Sequence, residues 1–275
     1  MTDVDPKARI AGIFDRAAPT YDQTGVELFG PPGRELVRRA GITAGQRVLD
    51  LGCGRGNVLF PAAAAVAETG SVVGIDFAPA MVAATTQAAK DLPWVRVTHG
   101  DADYPDFPPG SFDAITAGFM VFLLPDPPAA VARWSRLLRP GGRLAVSTFA
   151  AATAAGEAFY RDRTAALLPF QTPEPARDEQ SSSSPEWVAA LFAGTDLVDV
   201  TMTGLTVRSG YPTVDTYWDW MLSLGARRQL ERVPAEHEQT ARAALGKVLD
   251  QHLRQPDGSY RMDTEVRLTV ARRPA

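Results

Sequence analysis

Cysteine is almost missing from this 275-residue chain, which carries Cys53 alone. One cysteine excludes an intrachain disulfide framework and fits a reducing cytoplasm, where the chain is expected to work. Histidine is nearly as scarce, with three residues in all, so few side chains can act as a base near neutral pH. No metal site is expected. No apolar run reaches the ~18 residues that a membrane span needs. Residues 1–9 are polar and lack the apolar stretch of a signal peptide. An excess of positive charge is lacking too: the formal net charge is -4. The pairs Arg38-Arg39, Arg227-Arg228 and Arg272-Arg273 read as solvated helix and strand ends rather than as a nucleic-acid track. Neither nucleic acid nor membrane is expected as a partner, and the chain is expected to act as a monomer or homodimer.

What the sequence does have is core. It is 45% hydrophobic, enough for one sizeable core with an elaboration. Strand and helix signals alternate over residues 47–149. Strands are expected at 47–51, 71–76, 94–99, 113–118 and 143–149, with helices at 57–68, 79–91 and 126–138. Nearly continuous apolar strands separated by helices argue for a parallel sheet covered on both faces. Helical segments at 5–17 and 31–40 precede it. After residue 149 the pattern changes. Residues 150–155 are small, 171–185 read as a Pro- and Ser-rich mobile loop, and 185–194 as a short helix. Alternation at 199–208 and 262–271 gives two last strands. Helical spacing at 213–224 and 234–253 gives a two-helix insertion between them. The expected fold is therefore α/β: a Rossmann-like, seven-stranded, mostly parallel sheet with helices on both faces. The expected division is an N-terminal helical arm (1–46), a cofactor-binding core (47–149) and a C-terminal part (150–275) with a helical lid at about 211–258.

The run Val48-Leu49-Asp50-Leu51-Gly52-Cys53-Gly54-Arg55-Gly56 is a strand that empties into a glycine-spaced turn. Glycine is needed there because a side chain would hold a cofactor away from the backbone. A dinucleotide turn wants G-x-G-x-x-G, but here Asn57 stands at the third glycine position. Asp50 would repel a pyrophosphate and suit an ammonium group. The cofactor should therefore carry a cationic or zwitterionic end. Asp76 closes the second strand, where a carboxylate either accepts from ribose hydroxyls or caps the helix that opens at Pro79. Behind such a turn the ribose reading is favoured. Phe77 and Met81 either pack on a purine face or are core. At the end of the third strand, Gly100, Asp101 and Ala102 can face an exocyclic amine, or the acid merely serves a turn. His99 reads as a strand-end residue. Ala117, Gly118 and Phe119 end the fourth strand, where ligands of open α/β sheets sit.

From about Phe14 to Phe149 the chain resembles class I S-adenosylmethionine-dependent methyltransferases of the ubiquinone/menaquinone and natural-product subgroup. The matching pieces are FDRAAPTYD at 14–22, VLDLGCGRG at 48–56, GIDFAPAM at 74–81, GDADYPDFPPGSFDAI at 100–115 and LLPDPPAAVARWSRLLRPGGRL at 123–144. The resemblance implies S-adenosylmethionine as cofactor and S-adenosylhomocysteine as product. It implies that Gly52, Cys53, Gly54 and Gly56 cradle the methionine part. Asp50 would lie near the methionine amino group, Asp76 on the ribose, and Asp101 with Ala102 at the adenine. Tyr21 would close over the methionine end. Two departures matter. Val121-Phe122-Leu123 stands where many relatives carry histidine. Asp126-Pro127-Pro128 lacks the tyrosine of the amine-methylating D-P-P-Y motif and opens a helix instead.

Methyl transfer needs alignment and exclusion of water more than it needs a base. Tyr21 and His237 are the catalytic candidates, His237 because it lies toward the start of the second insertion helix, which also carries His252. Phe122, Tyr211, Tyr217, Trp218 and Met221 are the candidates for an apolar acceptor pocket, with Trp220 nearby. The expected activity is C-, O- or N-methylation of a small, fairly apolar metabolite in bacterial natural-product biosynthesis. The rival expectations are a non-methylating reaction such as cyclisation on the same fold, a dinucleotide oxidoreductase, and a peptide N-terminal methyltransferase.

Overall fold

A computed structural model describes residues 6–173 and 184–275. Ahead of the sheet lie α1 (Pro6–Ala17) and α2 (Gly30–Ala40). The alternating part runs β1 (Arg47–Leu51), α3 (Leu59–Val66), β2 (Ser71–Asp76), α4 (Pro79–Ala88), β3 (Val95–His99), β4 (Phe112–Gly118), α5 (Pro127–Leu137) and β5 (Leu138–Phe149). Then follow α6 (Ala154–Leu167), α7 (Pro185–Ala190), β6 (Val198–Tyr211), α8 (Val214–Leu222), α9 (Arg227–Leu230), α10 (Ala235–His252) and β7 (Tyr260–Arg272).

The described strands form one seven-stranded sheet in the order β3-β2-β1-β4-β5-β7-β6. β7 runs antiparallel to both neighbours, and the other pairs are parallel. The order reverses beside β1, which places a crevice outside the carboxyl ends of β1 and β4. Because successive side chains face opposite sides of a strand, β1 feeds two cores. Val48 packs with Leu36 of α2 and Leu59 of α3, whereas Leu49 and Leu51 pack with Val131 and Trp134 of α5. Both faces are thus sealed, and the apolar runs of the parallel strands are explained.

Several boundaries differ from the sequence reading. α3 starts at Leu59 rather than 57, since the glycine turn consumes two more residues. β5 begins at Leu138 and takes in Pro140-Gly141-Gly142, with a register shift against β4 between Phe112 and Ala114. The insertion between β6 and β7 holds three helices rather than two, because α9 forms in the link. α6, absent from the sequence reading, is capped by Thr153, whose hydroxyl accepts from the Gly156 amide at 3.2 Å. Most of the loop expected at 171–185 lies outside the described residues, as does the start of the polar segment 1–9.

Candidate functional site: two cavities with a shared wall

At the end of β1 the chain turns through Gly52 and Gly54, with φ of 63° and 50°. These left-handed values favour glycine, and a Cβ on Gly52 would also lie 2.8 Å from Met120. The turn is tied down twice. Thr85 donates its hydroxyl to the Gly54 carbonyl at 2.6 Å, and the Gly54 amide donates to Asp76 Oδ2 at 2.8 Å. Asp76 Oδ1 accepts from the Ala78 amide at 2.9 Å, so the acid caps α4 as well. Each oxygen of Asp76 keeps accepting capacity beyond its one backbone partner.

Asp50 is buried behind the turn. Its Oδ1 accepts from the Thr116 hydroxyl at 2.7 Å, and its Oδ2 has no partner. Burial pushes its carboxyl up to about 7, against the pull of the Thr116 hydroxyl and the Leu59 amide and with a further push from Asp76. Burial raises Asp76 too, opposed by the amides of Ala78 and Gly54. A buried carboxylate oxygen without a donor is costly unless a ligand supplies one.

The first cavity, about 760 Å³, lies over this turn. Its walls are Gly52 and Gly54, the strand ends Asp76-Phe77, Asp101-Ala102 and Gly118-Phe119, then Met81 and Met120, and Lys7, Ile10, Phe14 and Tyr21 from the N-terminal arm. A side recess of about 400 Å³ reaches Asp50, Cys53 and Ser147. At the far end Asp101 Oδ2 accepts from Lys7 Nζ at 2.7 Å, and Lys7 also reaches Asp103 Oδ2 at 3.0 Å. Three residues expected on the cofactor lie elsewhere. Gly56 shapes the turn, where a Cβ would strike the Phe60 ring; Gly100 backs onto Ile75; and Ala117 is fully buried inside β4.

Tyr21 lies flat against Phe29, with centroids 5.6 Å apart, and meets the edge of Phe14 at 6.1 Å. Burial drives its hydroxyl well above the ordinary phenol range, so it is a donor and not a base. Phe119 is held at a φ of 53°, uncommon for an aromatic residue, by its amide donating to the Ser147 carbonyl at 3.1 Å.

Beyond this wall opens a second cavity, of about 1210 Å³. Phe14, Tyr21, Phe119 and Leu123 line both spaces. Phe122, Phe149, Tyr160, Arg163, Trp220 and Thr264 are among the residues that complete the second one. Of the acceptor-pocket candidates, Phe122 is on this wall. Tyr211, Tyr217, Trp218 and Met221 are not: each is 2% exposed or less and packs in the core. Tyr211 ends β6 rather than opening the lid, and its ring meets Tyr217 at 4.8 Å and Trp220 at 5.1 Å. The aromatic stripe of α8 therefore docks the helix and leaves Trp220 at the cavity.

None of the histidines lines either space. His237 is exposed on α10 beside Phe170, so the assignment of His237 as a base has no support in the geometry. His252 contacts Asp162 at 2.9 Å, and His99 Nε2 contacts the Phe77 carbonyl at 3.2 Å. Asp126 caps α5 by accepting from the Ala129 amide at 3.1 Å, far from any D-P-P-Y role. Tyr160 and Arg163 were not anticipated, since α6 was not. Thr153 followed by alanines and Glu157 was the signal that could have found it.

A sulfonium cofactor with an amino-acid end fits the first cavity on three observations. Asp50 Oδ2 lacks a donor, Asp76 retains accepting capacity at the ribose position, and Phe77 and Met81 offer apolar surface between Asp76 and Asp101. Residues 48–142 match a methyltransferase domain. The chain is 50% identical over 137 residues to nocamycin O-methyltransferase of Saccharothrix syringae, a match covering 49% of each chain. It is 42% identical over 150 residues to aklanonic acid methyltransferase DauC of Streptomyces sp. strain C5, covering 54% of this chain and 68% of that one. It is 35% identical to 2-phytyl-1,4-naphtoquinone methyltransferase of Synechococcus elongatus, covering 53% and 65%. Among solved structures, YcgJ of Bacillus subtilis superposes with a TM-score of 0.58 at 22% identity, over 89% of this chain and 99% of that one. The [4+2]-cyclase SpnF gives 0.54 at 19%, over 90% and 81%.

Proposed function

The chain belongs to the class I S-adenosylmethionine-dependent methyltransferases of the quinone and natural-product subgroup, and on that premise we propose that it methylates a small, largely apolar metabolite. One observation carries this reading: a cavity built for the methyl donor and a larger aromatic cavity share the wall Phe14, Tyr21, Phe119 and Leu123. When bound, S-adenosylmethionine supplies a methyl group on a sulfonium that is already a good leaving group. The protein has then to align the acceptor and keep water out, and the ring-lined wall is suited to both. Asp50 takes the donor's ammonium group and Asp76 its ribose hydroxyls. Phe77 and Met81 flank the base.

The acceptor site is walled by rings from the sheet ends and from the insertion. Its ring-rich lining suits a flat, apolar metabolite. Calorimetry with S-adenosylmethionine and S-adenosylhomocysteine tests the donor half, and binding of neither would overturn it. Asp76→Ala should weaken both by about 2 kcal/mol or more, roughly thirtyfold in Kd, since hydrogen bonds to a charged acceptor are lost. Unchanged affinity would remove Asp76 from the ribose. Mass spectrometry of a turnover mixture separates methyl transfer, which adds one CH₂ to the acceptor, from a rearrangement, which adds nothing.

A further inference from the structure

The second cavity holds a cation without an ion-pair partner. Arg163 on α6 lines it, and among the described residues no carboxylate lies within ion-pair distance. Its neighbours are neutral. Nη1 donates to the Tyr217 hydroxyl at 3.1 Å, and the guanidinium lies over the Tyr160 ring at 5.1 Å. Nε is sealed from solvent and has no hydrogen-bond partner.

Two acids share the wall of this cavity, Asp263 and Glu265, and neither is within ion-pair distance of Arg163. Asp263, on the same cavity, is exposed and pairs with Arg208 at 2.9 and 3.1 Å. Glu265 accepts from the neutral Thr206 hydroxyl at 3.0 and 3.2 Å. Asp162, next in sequence to the arginine, contacts His252 and Arg161. One more residue of the cavity keeps a buried polar atom without a partner, Trp220 Nε1. An indole N–H can only donate, as can a guanidinium. Arg163 Nε and Trp220 Nε1 are thus donors left without acceptors on an aromatic-lined cavity, beside a guanidinium that no carboxylate pairs. Buried polar groups are almost always satisfied, and a buried cation costs most when unpaired.

We propose that Arg163 is the counter-ion of the acceptor, so that the metabolite carries an ionised oxygen, as a carboxylate or an enolate, on a flat apolar frame. This rests on the methyl-acceptor reading of the cavity. Arg163 supplies charge and direction, with Trp220 as a secondary donor, while Phe122, Phe149 and Tyr160 flank the frame. An ionised oxygen arrives as a ready nucleophile, so no residue has to take a proton from it. That agrees with a cavity that no histidine lines. Charge-assisted, bidentate recognition is what a guanidinium does better than an ammonium.

The test is equilibrium binding with two matched probe pairs, followed by quenching of tryptophan fluorescence and by calorimetry, with and without S-adenosylhomocysteine. The first pair is anthraquinone-2-carboxylate and its carboxamide. The second is 2-hydroxy-1,4-naphthoquinone, ionised, and its neutral 2-methoxy ether. For the unaltered chain, at least one anion should bind ten times more tightly than its neutral partner, and the pair that does so tells carboxylate from enolate. In Arg163→Met the preference should vanish, and in Arg163→Lys it should survive in part, with the S-adenosylhomocysteine Kd unchanged in both. Equal binding of anion and neutral probe in both pairs, binding of none of the four, or a preference that survives Arg163→Met, would overturn the proposal. The comparison on the unaltered chain stands even if a variant fails to fold. Loss of S-adenosylhomocysteine binding by the unaltered chain would instead strike the methyl-donor reading, and the probe titrations without it still decide the role of Arg163.

Discussion

Asp50 carries the sharpest consequence at the scale of single residues. In the free protein its carboxyl titrates near 7, because burial opposes its charge. An ammonium group placed against Oδ2 favours the ionised form, so binding must expel a proton wherever the free carboxyl is protonated. Affinity for S-adenosylhomocysteine should therefore rise as pH goes from 6 to 8, by about tenfold per pH unit at most below the midpoint. Calorimetry in buffers of different ionisation enthalpy would read the released proton directly. Asp50→Asn should flatten the profile and weaken binding at pH 8, and a profile unchanged by the substitution would place the ammonium group elsewhere. Cys53, in the same recess, has its thiol pushed up, chiefly by burial, and is expected to resist alkylation.

Among the elements, α1 matters most to the site. It brings Lys7 to Asp101 and Asp103, and Asp15 to the Ala80 amide at 2.8 Å. Arg16 reaches Glu231, just past α9, in a two-pronged pair at 2.8 and 2.7 Å, so the arm joins the donor cavity to the insertion. Arg55 reaches back from the glycine turn to the Ala18 carbonyl at 2.5 Å. With the arm down, the first cavity is roofed. Lys7→Ala removes a partly exposed ionic contact, of the class usually worth ~1 kcal/mol or less, and should speed S-adenosylhomocysteine association and dissociation by about two- to fivefold. Stopped-flow displacement would measure both rates, and identical rates would mean that the arm does not gate entry.

The contrast between α6 and the glycine turn shows what the sequence can disclose. Gly52, Gly54, Asp50 and Asp76 are dictated by the backbone: positive φ, close approach and acids at strand ends leave marks in residue type. The mostly parallel sheet with helices on both faces followed from the same alternation. α6 leaves no such mark, because only Phe159 and Leu167 are buried along it and its apolar stripe is too thin to register. α8 misleads in the opposite sense. Its Tyr217, Trp218 and Met221 have the composition of a ligand site, yet the helix uses them for docking, and a sequence cannot say which side of an aromatic helix faces a cavity.

For the whole molecule, the two groups of shifted carboxylates act at opposite ends of the pH scale. Asp50 and Asp22 are raised, to about 7 and about 6, chiefly by burial. The stability they allow is complete below their unfolded values near 4 and is lost as pH climbs through 6 and 7. Glu35, Glu231 and Asp263 are lowered by arginine partners, so their contribution is lost only as pH falls below about 4, and exposure keeps it small. The Tm of the free chain should therefore decline between pH 5 and pH 8. The Asp50→Asn variant should decline less. Differential scanning fluorimetry would check both, and a Tm that rises over that interval would contradict the burial of these acids.

The wall between the cavities has one more consequence. Phe14, Tyr21, Phe119 and Leu123 belong to both spaces, so neither ligand can settle against them without altering the surface offered to the other. Such a partition makes the two equilibria one thermodynamic box. Whatever factor the demethylated donor applies to acceptor affinity, the acceptor must return to it, by equilibrium alone. Four side chains would then set not only the contact between reactants but how strongly each ligand's affinity depends on the other being bound.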